Sequence, residues 1–197
     1  MKLIFESYVA DESVPVAEFV RNRKLVKYFN RETAAVIVAA RRLLDQVELV
    51  PDTPFYYETG VMEFENLGLE AIAAGSVDAA GLFDQQRFVE LGTKAVPPLT
   101  QFKALYNMPL SFVAIENALM GDSAVIYASA RGLLDQALMA PGDGPVLLGS
   151  GKVYADGRVE AAFALPGRED ILRQSRRSWE GEAIAMFRQW RNEEAHA

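Results

Sequence analysis

Apolar and polar positions recur along this chain with two different periods, which predict alternating strands and helices. Apolar runs rich in β-branched and aromatic residues predict strands over 2–9, 55–64, 123–128, 145–154 and 158–166. Helical spacing predicts helices from Ser13, from Glu32, and over 65–75, 83–92, 108–121 and 130–138. Asp156-Gly157 predicts a hairpin turn between the last two strands. This alternation indicates an α/β fold with a mixed sheet.

Two segments carry more apolar surface than an ordinary exposed helix. The helix from Glu32 is apolar almost all round, which predicts burial between layers. Residues 168–194 predict one long amphipathic helix at the end of the chain. Its stripe packs either on its own core or at a subunit interface, and the second alternative assigns the interface to Trp179, Met186, Phe187 and Trp190.

Composition limits the classes of protein that fit. Half of the 197 residues are apolar and no linker or repeat interrupts them, so we expect one domain over residues 1–197. The net charge of -7 argues against a nucleic-acid or anionic-membrane partner. No apolar run reaches the ~18–20 residues that span a bilayer. The acidic residues soon after the N-terminus do not fit a signal peptide, so we expect a cytoplasmic protein.

The chain has few side chains that could act in catalysis. The chain has no cysteine, which excludes disulfides, thiolate metal sites and cysteine nucleophiles. Its one histidine, His196, stands next to the C-terminus and is a poor general base. Ser129 lies at a predicted strand-to-helix turn, where it is either a nucleophile or the cap of the helix from Ala130. A nucleophilic serine needs a base, and the candidates are Glu116, Asp122 and Asp135.

Other polar motifs favour structural interpretations. Gly149-Ser150-Gly151 lacks the surroundings of a phosphate-binding loop and more simply lets a strand bend. Glu63-Phe64-Glu65 and Arg168-Glu169-Asp170 are expected to be solvated charges rather than metal ligands. We therefore expect neither a metal nor a cofactor.

Three segments, in order, resemble the β-ketoacyl synthases of the thiolase fold. They are "NRKLVKYFNRETAAVIVAARRLLDQ", "FKALYNMPLSFVAIENALMGDSAVIYASARGLLDQAL" and "GPVLLGSGKVY". The resemblance runs from about Asn22 to Tyr154 and includes the family's Asn-Met-Pro, here Asn107-Met108-Pro109. It implies the first of the two α/β halves of that fold, the half that carries the nucleophile.

The resemblance also implies a damaged catalytic centre. It places Ser129 at the position of the family's cysteine and retains its glycine at Gly132. Arg131 replaces a small serine, which puts an intact acyl tunnel in doubt. The family's two catalytic histidines and its lysine belong to the second half, for which this chain has no counterpart.

A half-domain exposes apolar helix faces, so it must cover them with its own C-terminal helix or with a second subunit. The resemblance implies a dimer, either a homodimer or a heterodimer with a full-length ketosynthase. The arginines at 173, 176, 177, 188 and 191 are either a solvated face or a surface for an acyl carrier protein.

Three functional hypotheses remain open on the sequence. The first is a non-catalytic ketosynthase-like subunit that assists fatty-acid or polyketide biosynthesis, including pigment polyenes. The second is an acyltransferase or thioesterase that uses Ser129. The third is a binding module for a long apolar molecule in a remnant pocket.

Overall fold

The computed structural model describes residues 1–60, 69–96 and 102–195. Its chain divides into two compact units. The larger unit comprises Met1–Glu63 and Tyr106–Ala197, and the smaller unit is Phe64–Leu105. The larger unit has an α/β architecture with a mixed five-stranded sheet, which confirms the predicted fold class.

The secondary structure closely follows the predicted alternation. The strands are β1 (Lys2–Tyr8), β2 (Phe55–Thr59), β3 (Ser123–Tyr127), β4 (Leu147–Val153) and β5 (Val159–Leu165). The helices are α1 (Arg31–Leu44), α2 (Leu69–Gly75), α3 (Gln85–Ala95), α4 (Met108–Asn117), α5 (Ala130–Leu138), α6 (Arg168–Ser175) and α7 (Ala183–Ala195). No helix among the described residues combines the length and the apolar character that a bilayer crossing requires.

Several boundaries differ from the prediction. The helix expected from Ser13 is only a 3₁₀ turn, Val16–Glu18, that follows Pro15. Helix α3 continues past Gly92 to Ala95, because a glycine inside a helix lowers its stability without ending it. The second half of the strand predicted over 55–64 lies largely outside the described residues.

The sheet has the order β1-β5-β4-β2-β3. Strand β2 is parallel to both β3 and β4, with Glu58 opposite Ile126 on one side and Ser150 on the other. Strands β4 and β5 form the predicted antiparallel hairpin, and β1 adds to β5 in antiparallel register. The carboxyl ends of β2, β3 and β4 consequently meet at one end of the sheet.

Helix α1 covers the first face of the sheet, as its all-round apolar sequence predicts. Its residues from Glu32 to Ala40 are buried, and Val36 and Val38 have no exposed surface. They pack with Phe55 and Phe163 of the sheet. Gly149 and Gly151 of β4 leave room for α1 and for aromatic rings to approach the backbone.

The C-terminal segment covers the second face, together with α5. Ile171, Phe187 and Trp190 are at most 1% exposed and share one apolar cluster with Leu148 of β4. Trp179 packs against this cluster while remaining half-buried. The stripe therefore packs on the core of its own chain, and the interface prediction is corrected for Met186, Phe187 and Trp190, which this chain buries.

The segment predicted as one helix over 168–194 is two helices. Helix α6 ends at Ser175, and Gly181 adopts a φ of 74°, which is accessible to glycine at little cost. The indole N–H of Trp179 donates to the carbonyl of Gln174 at 2.9 Å and fixes the connection. After the break, α6 packs beside α5 and α7 packs on β1, β4 and β5.

A substitution at Gly149 tests the close packing of the first face. A Cβ there would lie 2.6 Å from Cε1 of buried Phe163, whereas a Cβ at Gly144 meets nothing within 4 Å. We expect Gly149→Ala to lower the free energy of unfolding by about 1–3 kcal/mol. Gly144→Ala is expected to change it by less than about 0.5 kcal/mol. Urea unfolding measures both, and equal effects would show that β4 does not pack against Phe163.

Candidate functional site

The carboxyl ends of β2, β3 and β4 gather the polar groups that the sequence and the fold single out. In sheets with parallel strands this end is where binding and catalytic groups collect. Ser129 follows β3, Glu58 and Thr59 end β2, and Ser150 and Lys152 lie in β4. Glu32, in the first turn of α1, reaches the same end of the sheet through Thr59.

Ser129 is the N-cap of α5. Its side-chain oxygen accepts a hydrogen bond from the backbone N–H of Gly132 at 3.0 Å. This is the bond that a capping serine provides to an otherwise unpaired helical N–H. The helix begins at Ala130, as the cap interpretation of the sequence predicts.

The backbone around Ser129 is held on both sides. The N–H of Ala128 donates to the Thr59 carbonyl at 2.9 Å, and the N–H of Ala130 donates to the Gly181 carbonyl at 2.8 Å. Ala128 has a φ of 48°, a left-handed conformation that is costly for a residue with a Cβ. Gly132 fits beneath the cap because a Cβ there would lie 3.1 Å from both Ile126 Cγ2 and Ser129 Oγ.

The three carboxylates considered as bases for Ser129 are engaged elsewhere. Glu116 accepts from the backbone N–H of Arg21 at 2.7 Å. Asp122 accepts from the hydroxyl of Tyr56 at 2.6 Å, and Asp135 pairs with Arg131 at 2.9 Å. None of the three is hydrogen-bonded to Ser129, whose recorded side-chain partner is Gly132. The hydroxyl therefore makes a structural bond, and none of these three carboxylates is placed to remove its proton.

Arg131 points away from the Ser129 hydroxyl. Its side chain is about half exposed, pairs with Asp135, and donates to the carbonyl of Ser175 at 2.7 Å. It therefore connects α5 to the end of α6.

A buried glutamate lies on the α1 side of the sheet, and sequence reasoning missed it. Glu32 has no exposed surface, and its Oε1 accepts from the Tyr57 hydroxyl at 2.5 Å and from Thr59 Oγ1 at 3.3 Å. Its Oε2 is buried without a hydrogen-bond partner. Burial raises the pKa of Glu32 to about 7, and the two hydroxyl bonds act in the opposite direction.

A second buried glutamate lies on the opposite face. Glu58 Oε2 accepts from Ser150 Oγ at 2.7 Å, and its Oε1 is buried without a partner. Burial raises the pKa of Glu58 to about 7, and the nearby Glu182 carboxylate contributes in the same direction. Lys152 acts against that rise and is itself ion-paired with Glu182.

These two carboxyl groups can hold a proton near neutral pH, and neither is hydrogen-bonded to Ser129. Sequence patterns alone rarely identify such residues, because glutamate is usually exposed. The signal that could have found Glu32 is its position at the start of a helix that is otherwise apolar. The signal for Glu58 is a strand in which all five residues are buried.

Most of the C-terminal arginines are engaged within the chain. Arg173 pairs with Asp170, Arg177 pairs with Glu193, and Arg188 pairs with Glu160. Arg191 lies over the ring of Phe5 at 4.5 Å. These contacts attach α6 and α7 to their surroundings and reduce the positive charge available to an acidic partner.

The remaining sequence candidates do not form a site in the described chain. Gly149, Ser150 and Gly151 all lie within β4. Across residues 1–60, 69–96 and 102–195, no group of three metal-ligating side chains is close enough to hold an ion. Glu63-Phe64-Glu65 and His196 lie outside the described residues.

Comparison of the chain with models of protein families gave no match, and comparison with curated proteins gave none.

The pH dependence of stability tests the buried state of Glu32. Because its pKa rises from 4.5 to about 7 on folding, its contribution to stability is complete below pH 4.5 and is lost as the pH rises through 7. Replacing Glu32 by Gln removes this dependence. Between pH 4.5 and pH 8, the stability of Glu32→Gln relative to the parent protein should therefore improve by on the order of 3 kcal/mol.

Urea unfolding at a series of pH values measures this difference. Glu48→Gln is the matched control, because Glu48 is exposed at the surface. We expect the control to follow the parent protein within about 0.5 kcal/mol at every pH. A difference between Glu32→Gln and the parent protein that stays constant with pH would contradict the burial of an ionisable Glu32.

Proposed function

We propose that this protein is a ketosynthase-like subunit that forms no acyl bond itself and supports a partner synthase. The process it serves is fatty-acid or polyketide assembly, with pigment polyenes among the products. The proposal rests on the sequence resemblance together with one structural observation. Ser129, which the resemblance places at the position of the family's cysteine, caps α5 through its side-chain oxygen, and no carboxylate or histidine among the described residues is hydrogen-bonded to it.

The packing of the C-terminal helices supports the same proposal. A thiolase-like half must cover the helix face that its second half would bury. Here α6 and α7 lie beside α5 and bury Ile171, Phe187 and Trp190. A chain closed in this way can fold without a second half and can be retained as a separate subunit.

The partner we propose is a second copy of this chain or a full-length ketosynthase, and an acyl carrier protein is the further candidate. Strand β3 is at one edge of the sheet and pairs only with β2 among the described strands. Tyr127, at its end, is 54% exposed. Such an edge can extend a sheet into another subunit. We place this complex in the cytoplasm.

A Ser129-dependent acyltransferase or thioesterase is the alternative function. Two observations favour it: the left-handed Ala128 immediately before the serine, and the position of Ser129 at the N-terminus of α5. The alternative requires a base from a partner, because the candidate carboxylates of this chain are engaged elsewhere. Substitutions at Ser129 that separate capping from nucleophilicity distinguish the two functions.

Co-expression with a full-length ketosynthase and an acyl carrier protein from the same genome tests the subunit role. We expect the proteins to co-purify and to yield more condensation product than the synthase alone. Light scattering should show that the isolated chain is a dimer at micromolar concentration. A monomer that neither binds the synthase nor changes its product would contradict the proposal.

Two substitutions at Ser129 distinguish a cap from a nucleophile. Asparagine caps a helix as well as serine but has no hydroxyl, whereas alanine removes both properties. We expect Ser129→Asn to retain stability and stimulation, and Ser129→Ala to lose about 1 kcal/mol of stability. Mass spectrometry after incubation with an acyl-thioester should find no adduct. An adduct on Ser129 that is lost in Ser129→Asn would instead establish the alternative.

A further inference from the structure

The smaller unit presents a concentration of apolar side chains to solvent. Of the 14 large apolar residues recorded as exposed in the described chain, six belong to residues 64–105. Leu82 is 67% exposed, Phe83 is 57% exposed and Val89 is 56% exposed. Contiguous exposed apolar groups of this kind mark interaction surfaces in folded proteins.

Helix α3 contributes Val89 to this surface, and none of the residues of α3 is buried. One side of α3 faces α2, where a Cβ at Gly75 would lie 3.2 Å from Leu91 Cδ1. Val89 lies on another side of α3, and there it lines an open groove of about 820 Å³ with Leu82 and Phe83. The unit therefore uses one face of α3 for its own packing and leaves the groove face uncovered.

The groove is acidic as well as apolar. Asp78, Asp84 and Glu90 line it, and no lysine or arginine is among its lining residues. Asp78 accepts from the backbone N–H groups of Ala80 and Leu82, which fixes its carboxylate. Glu90 accepts from the side-chain amide of Gln86 at 3.1 Å. These bonds hold the carboxylates in place without neutralising them.

We propose that this groove, lined by Asp78, Leu82, Phe83, Asp84, Val89 and Glu90, docks a basic amphipathic helix of a partner protein. The apolar face of such a helix covers Leu82, Phe83 and Val89, as in other helix-in-groove complexes. Its lysines or arginines face the three carboxylates. The inference goes beyond the subunit role and does not depend on it, because the groove residues and Ser129 belong to different units.

The negative charge of the groove favours a basic helix over other occupants. Carboxylates repel nucleic acid and anionic membrane surfaces. A second copy of this chain is a poor donor of a basic helix. Its net charge is -7, the apolar stripe of α7 is buried, and Arg173, Arg177 and Arg188 already have carboxylate partners.

Peptide binding to the full chain tests the proposal. The probes are a synthetic 18-residue amphipathic helix of leucine and lysine, the same pattern with glutamate for lysine, and a scrambled leucine–lysine peptide that cannot form an apolar face. Fluorescence anisotropy measures each affinity at low and high salt. We expect the amphipathic lysine peptide to bind at least ten times more tightly than the other two.

Variants of the groove with matched controls locate the binding. The double variant Leu82→Ser with Val89→Ser should weaken binding at least tenfold, and Glu90→Lys should weaken it at least threefold and reduce its salt dependence. The controls Val50→Ser and Glu48→Lys alter exposed residues of the larger unit and should stay within twofold. Because the substituted side chains are exposed, circular dichroism should show unchanged folding.

Several results would overturn the inference. Absence of binding, equal binding of all three peptides, or equal weakening by the controls would each show that the groove is not a helix-docking site. Binding of zwitterionic phosphatidylcholine vesicles that is lost in the Leu82→Ser, Val89→Ser double variant would assign the surface to a lipid instead. A dimer that dissociates only in that double variant would assign it to a second copy.

Discussion

Both faces of the sheet in the larger unit are apolar, and the structure depends on covering both of them within one chain. Helix α1 covers the first face, and α5 covers only part of the second. The rest is covered by α6 and α7, which bury Ile171, Phe187 and Trp190. Burial of each large apolar side chain contributes about 1.5–3 kcal/mol, so these contacts are comparable with the whole stability of a domain.

The C-terminal segment that covers the second face also contacts the residues around Ser129. The carbonyl of Gly181, in the connection between α6 and α7, accepts the N–H of Ala130. Where α7 begins, the backbone of Ala183 acts on the buried carboxyl group of Glu58 and tends to lower its pKa. The C-terminal segment therefore satisfies polar groups at the carboxyl end of the sheet as well as covering apolar ones.

Local sequence patterns predicted much of this fold. Helix α5 has the predicted bounds, because the apolar strand before it and the capping serine both mark its start. The break between α6 and α7 was missed because Ile171, Ser175, Trp179 and Ala183 keep helical spacing across it. Only Gly181, with its positive φ, marks the interruption. Spacing describes which side of a segment is apolar, and it cannot show that the segment folds back.

The candidate site was predicted less completely. The position of Ser129 followed from local pattern, whereas the engagement of Glu116 and Asp122 depends on tertiary contacts between residues 95 and 66 positions apart in sequence. Asp135 instead pairs with Arg131 four residues before it, which is a local contact within α5. The burial of Glu32 and Glu58 results from the packing of the sheet and α1 around them, and sequence patterns alone rarely indicate it. The relationship to ketosynthases remains a hypothesis that rests on the sequence resemblance and on the geometry at Ser129.

Equilibrium unfolding of two neighbouring variants on α6 tests the closure of the second face most directly. Ile171 has no exposed surface, whereas the adjacent Leu172 is 41% exposed. The account predicts that Ile171→Ala lowers the free energy of unfolding by about 2–5 kcal/mol. It predicts a loss of less than about 1 kcal/mol for Leu172→Ala. Equal and small losses would contradict it, because α6 would then not be packed against the sheet.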